Sequence, residues 1–249
     1  MMLGHAGVSG FARFGIWALA ATLGWTAGAS GQTFRLGTRA MPVLIEVEAL
    51  ASNPETVRLL VGLGQIRADL QLGMLMLGEP SAEAHFSHPL TEIFPGIAEG
   101  LLAAGVPDLA PALQALETGG GKDAVRKNYL EAEKALLKAR STLDPSGEDA
   151  ALAVVELAKG AAGLIDASGK TDAKAYQTAW AQLMVARGEL DLLARSADPG
   201  LAKLAVAEAM ALDEIILSMP DPNQTAPVIF DPAPILKLIE RLEATDEAA

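Results

Sequence analysis

The sequence contains no cysteine, and this absence excludes several kinds of chemistry at once. Disulfide bonds, cysteine-ligated metals and thiol nucleophiles all need a side chain that the protein lacks, as does a lipid-anchored N-terminal cysteine. An oxidising compartment permits disulfides but does not require them, so the lack of cysteine remains compatible with export.

Positive charge is also scarce, with 19 basic residues against 31 acidic ones and a net charge of -12. Such a surface repels nucleic acids and anionic lipid headgroups and concentrates cations, so we predict no nucleic-acid partner. The chain also has no glycine-rich phosphate loop and no G-x-S-x-G motif. Aromatic residues make up only 4% of an alanine- and leucine-rich composition, which favours packed helices over sheets.

The N-terminus has the pattern of a secretory signal peptide. Arg13 precedes an apolar run over residues 14–27, and Ala27-Gly28-Ala29 resembles a cleavage site. The apolar run is shorter than the ~20 residues that a membrane-spanning helix needs. We therefore predict a signal peptide over 1–29, cleaved after Ala29, and a periplasmic or secreted protein with no membrane span after cleavage.

Helix start and stop signals along the remaining chain predict an all-α fold, an up-and-down helical bundle. Asn53-Pro54 begins a helix that extends to about residue 77 and contains Gly62, Gly64 and Gly73, which would allow close approach of neighbouring helices. Five prolines between residues 219 and 234 predict an extended segment. The other predicted helices cover residues 89–104, 108–117, 122–143, 148–167, 172–196, 201–218 and 235–242.

Two short matches recur at nearly constant separation along the chain. Residues 66–72 resemble residues 186–192 at an offset of 120, and residues 90–93 resemble residues 212–215 at an offset of 122. The pattern indicates either two pseudo-repeated helical halves or a chance similarity between alanine- and leucine-rich helices. We divide the mature chain into an N-terminal half, 30–118, a glycine joint, 119–121, and a C-terminal half, 122–249, with a proline-rich loop, 219–234.

The N-terminal half carries the candidate site, which lies in the segment EAHFSHPLTEIFP, residues 83–95. His85 and His88 are the only histidines expected in the mature chain, and Glu92 follows four residues after the second. Imidazole nitrogens and carboxylate oxygens together suit Fe, Cu or Zn. Asp69 is a fourth candidate ligand, because antiparallel pairing of its helix with the next one would bring it alongside Glu92.

Pro89 influences how these ligands are expected to lie. Its ring disfavours helical geometry at His88, so we predict that His85 lies on an arriving segment and His88 near the start of a new helix. The alternative to a metal site is structural: histidines satisfied by neighbouring polar groups or solvent, and an acidic residue that interacts with a helix dipole.

Residues near these four add further hypotheses. Glu79 and Glu83 are alternative carboxylate ligands, and Arg67 is predicted to orient a ligating carboxylate or to form a surface ion pair with Asp69 or Glu83. Met74 and Met76 indicate either a copper site or, at helical spacing, ordinary core packing.

A signal peptide, two helical halves and a His/Glu site are together similar to the exported imelysin-like iron-regulated proteins and related periplasmic iron-uptake components. His88-x-x-x-Glu92 has the residue types of that family's G-x-H-x-x-E motif but a different spacing and no preceding glycine. The resemblance implies metal handling rather than enzymatic work, and no ligand is transferred from it.

The sequence thus predicts a periplasmic protein that binds a transition-metal ion, Fe, Cu or Zn, for acquisition, delivery or sensing. One alternative is a non-enzymatic helical scaffold that binds another envelope protein and uses the histidines structurally. Another is haem binding or metal-assisted chemistry. Metal-assisted hydrolysis would need an open coordination position and a placed base.

Overall fold

A computed structural model describes residues 52–167 and 170–246 of the chain, and these residues form nine α-helices and one π-helical turn. The predicted signal peptide lies outside the described residues. The helices are α1 (Pro54–Leu75), α2 (Ser81–His88), the π turn (Pro89–Ile93), α3 (Phe94–Ala103), α4 (Ala110–Glu117), α5 (Lys122–Leu143), α6 (Gly147–Leu164), α7 (Ala173–Leu193), α8 (Pro199–Ser218) and α9 (Ala233–Asp246). The prediction of an all-α, up-and-down bundle is confirmed.

Helix α1 lies at the centre of the packing. It begins where the side chain of Asn53 accepts hydrogen bonds from the backbone N–H groups of Glu55 and Thr56, at 3.0 and 3.3 Å, with Pro54 in the first turn. It packs against α2, α3, α5, α6 and α7. Because neighbours surround it, apolar residues on several of its faces are buried, rather than a single stripe.

Glycines in α1 let two of these neighbours approach closely. A Cβ atom on Gly62 would lie 2.7 Å from a side-chain carbon of Ile97 on α3, and one on Gly73 would lie 2.6 Å from the ring of Phe86 on α2. A Cβ on Gly64 would lie 3.1 Å from the nearest side-chain atom. These distances leave no room for a larger residue at positions 62 and 73, so the predicted close approach is confirmed.

Helix α2, the π turn and α3 follow one another without an intervening loop, which makes the predicted separation of the two histidines wrong. His85 and His88 both lie on α2, which begins after Pro80. Proline at 89 and proline at 95 each lack the N–H that an α-helical hydrogen bond needs. Between them the Phe94 N–H bonds to the Pro89 carbonyl, five residues back, so the chain widens into a π turn instead of ending the helix.

The proline-rich segment after α8 forms no helix, contains a turn in which the Gln224 N–H bonds to the Asp221 carbonyl, and is attached to the start of α7. The hydroxyl of Tyr176 donates to the Pro220 carbonyl, and the side-chain amide of Gln177 donates to the Pro222 carbonyl at 3.0 Å. These bonds satisfy polar groups that α7 buries near its N-terminus.

The two predicted halves pack on each other through α1, which contacts both α6 and α7, and the described residues belong to one compact unit. Adding the offset of 120 to the residue numbers of α1 gives the range 174–195. This range agrees with the bounds of α7 to within two residues at each end. None of the described helices combines the length and apolar character that crossing a membrane requires.

Candidate functional site

Asp69 on α1 lies between the two histidines of α2. One of its carboxylate oxygens, Oδ2, is 2.6 Å from Nδ1 of His88, and the other, Oδ1, is 3.3 Å from Nδ1 of His85. An ionised carboxylate can only accept hydrogen bonds, so each Nδ1 donates, and Nε2 of a neutral ring keeps its lone pair. We call Asp69, His85 and His88 the Asp–His cluster.

The cluster extends from the interior to the surface. The side chains of Asp69 and His85 are 6% and 4% exposed, whereas that of His88 is 44% exposed. A buried carboxylate is costly unless it is hydrogen-bonded or paired, and among the described residues the two imidazoles are its side-chain partners. His88 therefore connects a buried polar pair to solvent.

The local sequence explains why the three side chains meet. His85 and His88 are three residues apart on α2, so they share the face that is turned towards α1. Gly73 lies one helical turn beyond Asp69, and its lack of a side chain allows Phe86, the neighbour of His85, to sit against α1. Close packing at Gly73 thus brings the imidazoles within reach of the carboxylate.

Glu92 lies outside this contact. It is exposed and belongs to the π turn, where the wider ring of the hydrogen bonds shifts residues away from the α-helical alignment with His88. Within the described parts of the chain, no group of three or more histidine, cysteine, aspartate or glutamate side chains is arranged to hold a metal ion. Three of the four predicted ligands therefore meet, held by hydrogen bonds, and their role as ligands stays a prediction.

Arg67 does not take either of its predicted roles. Its Nε donates to Oε2 of Glu133 on α5 at 3.0 Å. Residues two apart on a helix point in different directions, so Arg67 lies at the interface of α1 with α5 and Asp69 lies at its interface with α2. Glu133 is 66 residues away in sequence, and local spacing gave no signal of it.

The polar contact between α1 and α5 also includes Tyr129. Burial, and next the nearby carboxylate of Glu133, raise the pKa of the Tyr129 hydroxyl to about 12, since both disfavour the negatively charged phenolate. This tyrosine therefore stays neutral at physiological pH and acts here as a packing residue.

The methionines occupy packing positions, in agreement with the core alternative. Met76 is 6% exposed and its sulfur accepts a hydrogen bond from the Ser81 hydroxyl at 3.3 Å, while Met74 packs against the hydrophobic core. The carboxylates of Glu79 and Glu83 are exposed and line a cleft rather than the Asp–His cluster.

We compared the chain with known protein families, curated proteins and solved structures. No protein-family model, curated protein or solved structure matches the chain.

Proposed function

We propose that the protein binds a transition-metal ion at the Asp–His cluster, and that it works as a binding protein in acquisition, delivery or sensing rather than as an enzyme. The observation that carries the proposal is the position of Asp69, whose carboxylate lies within hydrogen-bond distance of Nδ1 in both imidazoles. Proteins commonly orient metal-ligating histidines in this way, with a carboxylate on one ring nitrogen and the metal on the other.

The donor set narrows the class of metal. Two neutral imidazole nitrogens favour Fe, Cu or Zn over Mg²⁺ and Ca²⁺, which prefer oxygen ligands throughout. In this arrangement Asp69 serves first as the residue that orients the rings, because the 2.6 Å contact with His88 is a hydrogen-bond distance. Glu92, exposed and four residues beyond His88, is the proposed further ligand, together with water.

Access and charge also support the proposal. His88 is 44% exposed, so an ion can reach it from solvent without the helices separating. The net charge of -12 raises the local concentration of cations around the protein. The resemblance to imelysin-like proteins makes iron the first ion to try.

The test is elemental analysis of protein isolated from its native compartment, followed by titration of the metal-free protein with Fe, Cu and Zn. We expect about one ion per chain, and we expect the double variant His85→Ala/His88→Ala to lose it. His88→Gln alone should weaken binding without loss of fold, because the side chain is partly exposed and its removal opens no buried cavity. Wild-type stoichiometry in the folded double variant would contradict the proposal.

Glu92→Gln tests the further ligand, with Glu214→Gln as its control. Both residues are exposed on helical segments, and the two changes alter the net charge equally. Weaker metal binding in the first variant alone supports Glu92 as a ligand, whereas equal binding in both removes it from the site.

A second candidate function is the helical scaffold, favoured by the fact that Asp69 satisfies both histidines without any metal. The two functions differ in their thermal response. A ligand present at one hundred times its dissociation constant stabilises the folded protein by about 2.7 kcal/mol. That corresponds to roughly 5–10 °C in Tm for a protein of this size. No shift with any of the three metals would favour the scaffold.

A further inference from the structure

Helix α8 carries three large apolar side chains on its solvent-facing surface. Leu217, Met210 and Val206 are 82%, 64% and 48% exposed. Because they are spaced four and seven residues apart, they form one stripe along the helix, which we call the α8 stripe. The helix packs against α7 and α9 on its other sides. Single exposed apolar residues are common on protein surfaces, whereas a stripe of them is typical of an interaction surface.

Opposite charges lie on either side of the middle of the α8 stripe. Lys203 lies one turn before Val206, is exposed, and forms no ion pair within the described parts of the chain. Glu214 lies one turn after Met210, is also exposed, and is likewise unpaired among those residues. The stripe is therefore positive towards its N-terminal end and negative towards its C-terminal end.

The neighbouring helix α7 adds to the negative charge at that second end. Arg187 donates hydrogen bonds to both carboxylate oxygens of Asp213, at 2.7 and 3.0 Å. The same guanidinium forms an ion pair with Asp191. One arginine thus serves two aspartates, and the group keeps one excess negative charge in addition to that of Glu214.

We propose that the α8 stripe binds the α8 stripe of a second copy of this chain, with the two helices antiparallel about a two-fold axis. Such an axis repeats every contact in both directions. Val206 then faces Met210 of the other copy, and Lys203 faces Asp213, with Glu214 beside it. The stripe is complementary to itself in this arrangement, because apolar side chains meet at the centre and opposite charges meet at both ends. A parallel pair would place like charges together.

Sedimentation equilibrium of the metal-free protein over a range of concentrations tests the proposal. We expect a monomer–dimer equilibrium with a dissociation constant in the micromolar range, because one helix pair is a small interface and the net charge of -12 on each copy opposes association. Met210→Glu should weaken the dimer at least about tenfold, since each copy would bury an unpaired charge at the centre of the contact.

Leu102→Glu on α3 is the matched control, because Leu102 is 73% exposed and lies on another helix. It should leave the dissociation constant unchanged. A wild-type protein that remains monomeric at millimolar concentration, or equal dissociation constants for the two variants, would overturn the proposal. None of the residues that form the contact belongs to the Asp–His cluster, so the proposal does not depend on metal binding.

A charge exchange tests the pairing of the two ends. Lys203→Glu and Glu214→Lys should each weaken the dimer, because like charges then face one another. The double variant Lys203→Glu/Glu214→Lys should associate more tightly than either single variant, since it restores opposite charges across the contact. A double variant that associates no better than the weaker single variant would contradict this pairing.

The lack of cysteine makes the direction of the helices measurable by cross-linking at single introduced thiols. Ala207 and Ser218 are both exposed on α8. In the antiparallel pair the two copies of residue 207 lie close to the axis, whereas the two copies of residue 218 lie about 30 Å apart. A short thiol-specific cross-linker should therefore link Ala207→Cys and leave Ser218→Cys unlinked. Any other pattern of linking would overturn the antiparallel arrangement.

Discussion

The carboxylate of Asp69 lies 2.6 Å from Nδ1 of His88, and this contact joins the middle of α1 to the last residue of α2. The same carboxylate reaches the buried ring of His85 through its other oxygen. One acidic side chain therefore determines how two imidazoles are oriented.

Removing the carboxylate should destabilise the protein as well as alter the site. In Asp69→Ala the buried ring of His85 loses its acceptor, and hydrogen bonds to a charged group contribute about 1.5–3 kcal/mol. We expect a loss of that size in the free energy of unfolding, measured by urea denaturation. Glu92→Ala, at an exposed position, is the control and should stay within about 0.5 kcal/mol of wild type. Equal stability of the two variants would mean that Asp69 does not hold the histidines.

The glycine that allows α2 to approach α1 gives a second prediction. Gly73→Ala places a Cβ 2.6 Å from the ring of Phe86, and overpacking of this kind costs about 1–3 kcal/mol. Gly163→Ala on α6 meets no atom within 4 Å and should be neutral or stabilise the protein by up to about 1 kcal/mol. Thermal unfolding of the two variants checks the contrast, and a stabilised Gly73→Ala would show that the two helices are not in close contact there.

Substitution by methionine should change the stability of the protein differently at two buried glutamines of α7. Gln177 donates to the carbonyls of Pro222 and Gln224, so Gln177→Met should cost about 1–3 kcal/mol by leaving those carbonyls unpaired and releasing the proline-rich segment. In the described structure Oε1 of Gln182 is buried without a partner, so Gln182→Met should be neutral or stabilising. Denaturant midpoints measure both, and a larger loss in Gln182→Met than in Gln177→Met would contradict this assignment of the hydrogen bonds.

The two buried tyrosines should make the stability of the protein fall at alkaline pH. The chain has only two, and burial raises the pKa of both Tyr129 and Tyr176 to about 12. The carboxylate of Glu133 raises the pKa of Tyr129 further, and that of Asp221 raises the pKa of Tyr176 further. Unfolded tyrosine ionises near pH 10. Below that pH both states are neutral and stability is constant, whereas between about pH 10 and 12 the unfolded state loses protons first and stability falls.

An ultraviolet absorbance titration measures this ionisation directly. The folded protein should show its tyrosinate absorbance about two pH units later than the protein in denaturant. Superimposable titration curves would place both hydroxyl groups in solvent.

Much of the fold follows from local sequence signals. Asn53 and Pro54 define the start of α1. Helix α7 begins within one residue of the predicted start at 172, with Asp172 as its cap. The prolines after α8 interrupt helical hydrogen bonding wherever they occur, so that segment was predictable as well. These features depend only on residues close in sequence, which is why they could be read without a structure.

The course of the chain at Pro89 could not be predicted in the same way. A proline that starts a helix and a proline inside a widened helix obey the same local rules, and the choice depends on how α2 and α3 pack against α1. The partner of Arg67 was missed for a related reason, because Glu133 comes from α5 and only the tertiary fold brings it there. Helix pairing predicts Asp69 alongside Glu92, but the structure places its carboxylate between the rings of His85 and His88 and leaves Glu92 outside this contact.

We propose that one metal ion binds at a site that both imidazoles share and that Asp69 orients. NMR of the two histidine side chains during a zinc titration tests it most directly, because ring nitrogens report protonation and metal ligation separately. We predict that the resonances of His85 and His88 change together and stop changing at one equivalent, with Nδ1 still protonated and Nε2 perturbed, and that Asp69→Asn weakens this response. Resonances of both rings that remain unchanged in excess zinc would contradict the claim.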